Sequence, residues 1–137
     1  MAKSEFRILL VDDYPMVRTM LRTGLNEMGY QDIDEADDGR EALDKLRAAH
    51  AAGRPFDLVF CDWVMPVMEG IAVLEECRAT KDFKYLPFVM VTAEAERESI
   101  VRALKAGATD YILKPISTKD LQDKMQVLLA KMKRLSA

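Results

Sequence analysis

VFCDWVMP (residues 59–66) places an aspartate, Asp62, directly after a run of strand-forming residues. A buried strand stops at a turn, and an aspartate there ordinarily caps the helix that follows. The other use of such a carboxylate is chemical, and the ends of the neighbouring strands decide between the two.

Working outward, five short apolar runs alternate with longer segments of helical period: RILLV (7–11), DIDEA (32–36), DLVFC (57–61), FVMVT (88–92) and DYIL (110–113). Between them Val17, Met20, Leu21, Leu25 and Met28 repeat at helix spacing, as do Ala42, Leu43 and Leu46. Ile71, Leu74 and Cys77 follow, then Ile100, Val101 and Leu104, and finally Leu121, Met125, Leu128 and Met132. Strands alternating with helices predict βαβ units and a parallel sheet, here an α/β chain of (βα)5 form. The methionines in these stripes read as adaptable core filling. Turns are marked by Gly29, by Gly53 with Pro55, by Pro87 and by Gly107.

The chain has 137 residues, 50% hydrophobic and 31% charged, which suits one domain with a real core and leaves no room for a second. Its net charge of -3 mixes both signs without a basic stripe, so no nucleic-acid partner is expected. The apolar start of MAKSEFRILLVDD is short and runs straight into two aspartates, unlike a signal peptide or a membrane span. A cytoplasmic protein without a membrane partner is the expectation. Cys61 and Cys77 lack metal-ligand spacing and fall on apolar patterns, so both read as buried packing residues in a reducing compartment. His50, the only histidine, reads as a lone solvated side chain.

In an open parallel sheet, ligands bind outside the carboxyl ends of the strands. Those ends carry Asp12 and Asp13, Asp62, Thr92, and Lys114 followed by Pro115; the second strand, ending near Glu35 and Asp37, adds nothing assignable. Three carboxylates at one edge repel, each pair at 4 Å by about 4 kcal/mol at an effective dielectric near 20. A cation must offset this, and an all-oxygen set favours Mg2+ over zinc. Lys114 supplies a second positive charge and Thr92 a hydroxyl donor, so the group can hold a phosphoryl anion. Asp62 then becomes the acceptor nucleophile, forming an acyl phosphate. One of Asp12 and Asp13 is also expected to cap the helix that opens at YPMVR.

LLVDD, FCDWVMP, MVTAEA and AGATDYILKP, in that order, resemble the receiver domains of two-component response regulators, in particular the single-domain chemotaxis regulators of CheY-like type. The resemblance covers about residues 6–132, and a single receiver domain spanning 1–137 with no output domain is the expectation. It implies a flavodoxin-like, doubly wound five-stranded sheet of order 2-1-3-4-5. It further implies that Asp62 takes phosphate from a histidine kinase, with Asp12, Asp13, Asp62 and the Val64 carbonyl holding Mg2+. Thr92 would bind the phosphoryl group and Lys114 pair with it, Tyr111 would be the aromatic switch, and the Lys114–Pro115 peptide would be cis. Arg97, Tyr111 and Lys124 would lie on a partner face built by the fourth helix, fifth strand and fifth helix.

Receivers accept phosphate and assist its transfer and loss; they are not enzymes acting on other substrates. The implied partner is the flagellar motor switch in chemotaxis, with a phosphatase as a further partner and a monomeric protein. A phosphorelay intermediate or a single-domain regulator of another protein is the alternative within the family. Many chemotaxis regulators carry a polar residue where this chain has Val64, whose side chain cannot hydrogen-bond a water or phosphoryl group. Val64 and Glu94 are therefore expected to set an unusual lifetime of the phosphorylated state. From another class, an aspartyl-phosphate phosphatase or phosphotransferase of haloacid-dehalogenase type wants an aspartate where Val64 stands. A flavin carrier wants a glycine-rich phosphate loop where DDYPM stands.

Overall fold

Ile8, Leu9, Leu10 and Val11 are all buried, so no face of this strand can meet water and the sheet must be covered on both sides. The computed structural model describes residues 2–93 and 97–136, with the side chains of 134–136 outside that description. Its strands are β1 (Ile8–Val11), β2 (Ile33–Ala36), β3 (Leu58–Asp62), β4 (Phe88–Thr92) and β5 (Asp110–Leu113). They alternate with α1 (Pro15–Glu27), α2 (Gly39–Ala51), α3 (Gly70–Ala79), α4 (Arg97–Lys105) and α5 (Thr118–Ser136). The sheet is parallel throughout, in the order β2-β1-β3-β4-β5, the doubly wound flavodoxin-like arrangement.

Alternation along the strands divides the core in two. Ile8, Leu10, Leu58, Phe60, Val89, Val91 and Ile112 face α1 and α5, where Leu21, Leu25, Leu121, Met125 and Leu128 meet them. Leu9, Val11, Val59, Cys61, Phe88 and Met90 face the other side, filled by Leu43 and Leu46 of α2, Ile71, Leu74 and Cys77 of α3, and Ala103 of α4. Each fully buried leucine or phenylalanine removes apolar surface worth roughly 1.5–3 kcal/mol from water, which is why the three central strands read as unbroken apolar runs. Both cysteines are buried and free, as packing residues.

Some expectations need correction. Met20 is 46% exposed, so the α1 stripe buries only Leu21 and Leu25 fully. In α4, Val101 and Leu104 are 36% and 46% exposed and only Ala103 is buried, because this short helix covers the β5 edge and leaves half of its apolar stripe outward. His50 is exposed but not alone: Nε2 lies 3.3 Å from Asp82 and the ring meets Phe83 edge-on. Neither Asp12 nor Asp13 caps α1. Tyr14 is its N-cap, with no side-chain hydrogen bond, and Pro15 begins the helix where no backbone donor is needed. Asp12 Oδ1 accepts the Tyr14 N–H instead, at 2.9 Å. In α2, Asp38 does cap, accepting the Glu41 N–H at 2.8 Å.

The loop between β3 and α3 carries local strain. Met68 N–H donates to the Pro66 carbonyl at 2.7 Å across Val67, whose φ is +68°. A two-residue hydrogen bond with positive φ at its centre is the strained form of the γ-turn, and a β-branched residue is poorly suited to it. Val67 is 80% exposed, so no burial offsets the strain. Val67→Gly should stabilise the fold by about 1 kcal/mol, since relief of roughly 1–3 kcal/mol exceeds the 0.5–1 kcal/mol of added chain entropy. The urea midpoint checks this, and an unchanged or lower midpoint would refute it.

Candidate functional site

Strand register brings the polar ends level. Val11 pairs with Cys61 and Asp62 with Val91, so Asp12, just beyond β1, stands beside the last residue of β3. By alternation Asp12, Asp62 and Lys114 continue the rows that face α1 and α5, whereas Thr92 and Tyr111 continue the rows on the opposite face. Asp12, Asp62 and Thr92 are all buried, at 1%, 5% and 4% exposure. Lys114 follows β5, donates its N–H to the Thr92 carbonyl at 2.8 Å, and is joined to Pro115 by a cis peptide.

One ammonium serves two carboxylates: Lys114 Nζ lies 3.0 Å from Asp12 Oδ2 and 3.2 Å from Asp62 Oδ1. Burial works against the charge on Lys114, but Asp12 and then Asp62 hold its pKa above the ordinary lysine value. Asp62 moves the other way. Burial first, then the Asp12 carboxylate and more weakly Asp13, push its carboxyl up to about 6 against the pull of Lys114.

The donor set fits a hard divalent cation. One carboxylate oxygen from each of Asp12, Asp13 and Asp62 lies within 4.8 Å of the others. Asp13 Oδ1 is buried without a hydrogen-bond partner, and Asp12 Oδ2 has only its ion pair with Lys114, without hydrogen-bond geometry. A buried oxygen without a partner, as at Asp13, is costly unless something positive meets it, and an all-oxygen set selects Mg2+ or a similar ion. Val64, two residues on, is 68% exposed.

Other predicted residues sit farther out. Tyr111 is half-buried against the α2–α4 side of the core, and the Lys124 ammonium lies 4.5 Å from its ring centroid. Arg97 is exposed at the start of α4. Val101, Leu104, Leu113 and Val127 add exposed apolar surface on these same elements. Glu94 lies outside the described residues.

The second strand contributes more than its sequence suggested. Glu35 accepts hydrogen bonds from Arg18 and Arg22, each at 2.8 Å, and Arg18 Nη1 donates to the Asp12 carbonyl at 2.5 Å. Burial opposes the Glu35 charge, but the two arginines hold its carboxyl below the usual range. This latch fixes the backbone at Asp12, and the spacing of Arg18 and Arg22 on one helix face was the available signal. Gly70 was also missed: it is buried at the start of α3 and donates its N–H to the Trp63 carbonyl at 2.8 Å. Arg102 of α4 lies 5.8 Å from the Trp63 ring centroid, linking that helix to the residue beside Asp62.

Residues 8–126 match the family model described as response regulator receiver domain. The chain belongs to that family. This receiver is 39% identical over 126 residues to chemotaxis protein CheY-3 of Vibrio cholerae, a match covering 92% of this chain and 93% of the relative. It is likewise 39% identical over 120 residues to chemotaxis protein CheY of Pseudomonas aeruginosa, covering 88% and 93%. Among solved structures, V. cholerae CheY4 superposes with a TM-score of 0.80 at 32% identity, covering 90% of this chain and 98% of that one. CheY from the CheX-CheY-BeF3-Mg complex of Borrelia burgdorferi superposes with a TM-score of 0.79 at 31% identity, covering 89% and 88%. The receiver is thus of the CheY type of chemotaxis response regulators. Among the described residues, no helix is long and apolar enough to cross a membrane.

Proposed function

We propose that this protein is a single receiver domain, spanning the chain, that accepts a phosphoryl group on Asp62 from a histidine kinase and passes the signal on by contact. The observation carrying this reading is the buried Asp62 carboxylate, 3.2 Å from the Lys114 ammonium that also pairs with Asp12, and beside the buried Asp13 oxygen that has no hydrogen-bond partner. In the reaction an Asp62 oxygen forms the O–P bond as the N–P bond of the donor phosphohistidine breaks. The leaving electron pair stays on the imidazole nitrogen, which takes a proton. Asp12, Asp13, Asp62 and the Val64 carbonyl would hold Mg2+, which supplies charge neutralisation for the transferring group. Lys114 turns from its carboxylates to a phosphoryl oxygen, and Thr92 donates its hydroxyl to another.

Thr92 and Tyr111 lie on the same face of the sheet, on adjacent strands. Movement of Thr92 toward the phosphoryl group opens space for the Tyr111 ring to turn inward, which reshapes the α4–β5–α5 surface bearing Arg97, Tyr111 and Lys124. We take the flagellar motor switch as the partner of that surface and the cytoplasm as its place, with the protein acting as a monomer; the relatives named as chemotaxis proteins support a role in chemotaxis. The B. burgdorferi complex with CheX supports a further protein partner, which we assign as a phosphatase.

Intact mass after acetyl phosphate treatment tests the reading. Wild type should gain one phosphoryl group only with Mg2+, accompanied by a change in Trp63 fluorescence; no gain with Mg2+ or with a phosphorylated kinase would reject it. The exposed Val64 side chain offers the phosphoryl group no hydrogen bond, and with Glu94 it sets the lifetime of the acyl phosphate. Val64→Asn should therefore change the decay rate, by about 2- to 13-fold if one hydrogen bond of 0.5–1.5 kcal/mol is at stake. Equal decay of the two proteins would discard that role.

A further inference from the structure

The start of β5 holds a carboxylate that the proposed chemistry does not use. Asp110 has a side chain 9% exposed, and its Oδ1 accepts the Tyr111 N–H at 2.8 Å and the Lys124 ammonium at 3.0 Å. Lys131 Nζ lies 3.3 Å from Oδ2 and also donates to the Thr109 carbonyl at 3.2 Å. Burial opposes the charge on Asp110, but the Tyr111 N–H and the two lysines hold its carboxyl below the ordinary range. Lys124, fixed in this way, sits with its ammonium 4.5 Å from the Tyr111 ring centroid.

The geometry points to Asp110 as a positioning residue that clamps Lys124 against the Tyr111 ring, with Lys131 as the second cation that lets Lys124 leave. The inference rests on the reading of Tyr111 as the moving ring. A cation on the face of an aromatic ring is attracted to it, so a fixed ammonium favours the ring orientation in which the two meet. Inward rotation of the ring must give up that contact or pull Lys124 away from Asp110. Stripping a buried carboxylate of its only cation is strongly unfavourable, whereas Lys131 leaves Asp110 in an ion pair after Lys124 departs. A released Lys124 can then meet an acidic side chain of a docking protein, so the clamp ties the ring to the surface proposed for partner binding.

Two substitutions in one ionic cluster should therefore act with opposite sign. Asp110→Asn weakens the hold on Lys124 and frees the ring; Lys131→Met makes Lys124 the sole cation and tightens it. A purely structural cluster would give the two variants the same direction. The test uses fluorotyrosine-labelled protein and fluorine NMR, with the Tyr111 signal identified through Tyr111→Phe, during titration with beryllofluoride in the presence of Mg2+. Asp110→Asn should reach half-conversion of the ring at about 2- to 5-fold lower beryllofluoride than wild type, and Lys131→Met at a correspondingly higher concentration. Lys124→Met should follow Asp110→Asn. Unchanged midpoints in the variants, or a shift of Asp110→Asn and Lys131→Met in the same direction, would overturn the clamp alone. A wild-type ring that stays still while Trp63 fluorescence reports beryllofluoride binding would overturn the Tyr111 reading and the clamp with it.

Discussion

Asp62→Asn is expected to take up no phosphoryl group from acetyl phosphate and, without Mg2+, to be more stable than the wild type above pH 6. The first effect is complete because the amide oxygen is a far weaker nucleophile than the carboxylate. The second follows from the raised carboxyl of Asp62, which burial and Asp12 push from the ordinary 3.8 to about 6. Between those values the folded protein holds a proton that the unfolded chain has released, so stability falls as pH rises through the window. That rise corresponds to roughly 3 kcal/mol, lost in full once the pH is well above 6. Asparagine cannot ionise, so at pH 7.5 in chelated buffer the variant should be more stable by about 2 kcal/mol, allowing for a weaker contact with Lys114. Urea unfolding from pH 4 to 8 should show a decline for wild type and a flatter curve for the variant. Parallel curves would mean that Asp62 carries no such strain. Mg2+ should raise the wild type more than the variant, since only the wild type has the third carboxylate to neutralise.

The sheet and the edge were legible because they rest on rules that act locally. Unbroken apolar runs meant strands covered on both faces, and the alternation of Leu9 and Leu10, or Phe60 and Cys61, follows from the pleat alone. Polar residues at the ends of those runs could then fall only at the carboxyl edge, where Asp12, Asp62 and Lys114 indeed meet. The order of the strands is not local and came with the family resemblance. What escaped the sequence depends on tertiary neighbours. Met20 and Leu104 fit helical stripes, but a stripe does not reveal how much of itself the sheet can cover. Glu35 looked idle until α1 brought Arg18 and Arg22 over β2. Gly70 drew no reading from the sequence, because its importance comes from a backbone atom eight residues earlier, the Asp62 carbonyl oxygen.

That glycine gives the second large effect: Gly70→Ala should cost roughly 3–5 kcal/mol and abolish phosphoryl uptake together. A Cβ on Gly70 would fall far inside van der Waals contact with the Asp62 carbonyl oxygen, and would lie 2.9 Å from that carbonyl carbon and 3.1 Å from Trp63 Cα. All three are backbone atoms, so no side chain can swing aside. Either α3 retreats, breaking the Gly70 N–H bond to the Trp63 carbonyl, or the end of β3 moves and carries Asp62 away from Asp12 and Lys114. Gly53 supplies the contrast. It has a φ of +76°, but a Cβ there would meet nothing within 4 Å, so Gly53→Ala should cost only about 1 kcal/mol of backbone strain. Phosphoryl uptake should remain intact in that variant. Urea midpoints and intact mass, measured on both variants at a temperature where each is folded, separate the two mechanisms. A folded Gly70→Ala protein that takes up phosphate at the wild-type rate would show that β3 and α3 can part without disturbing Asp62.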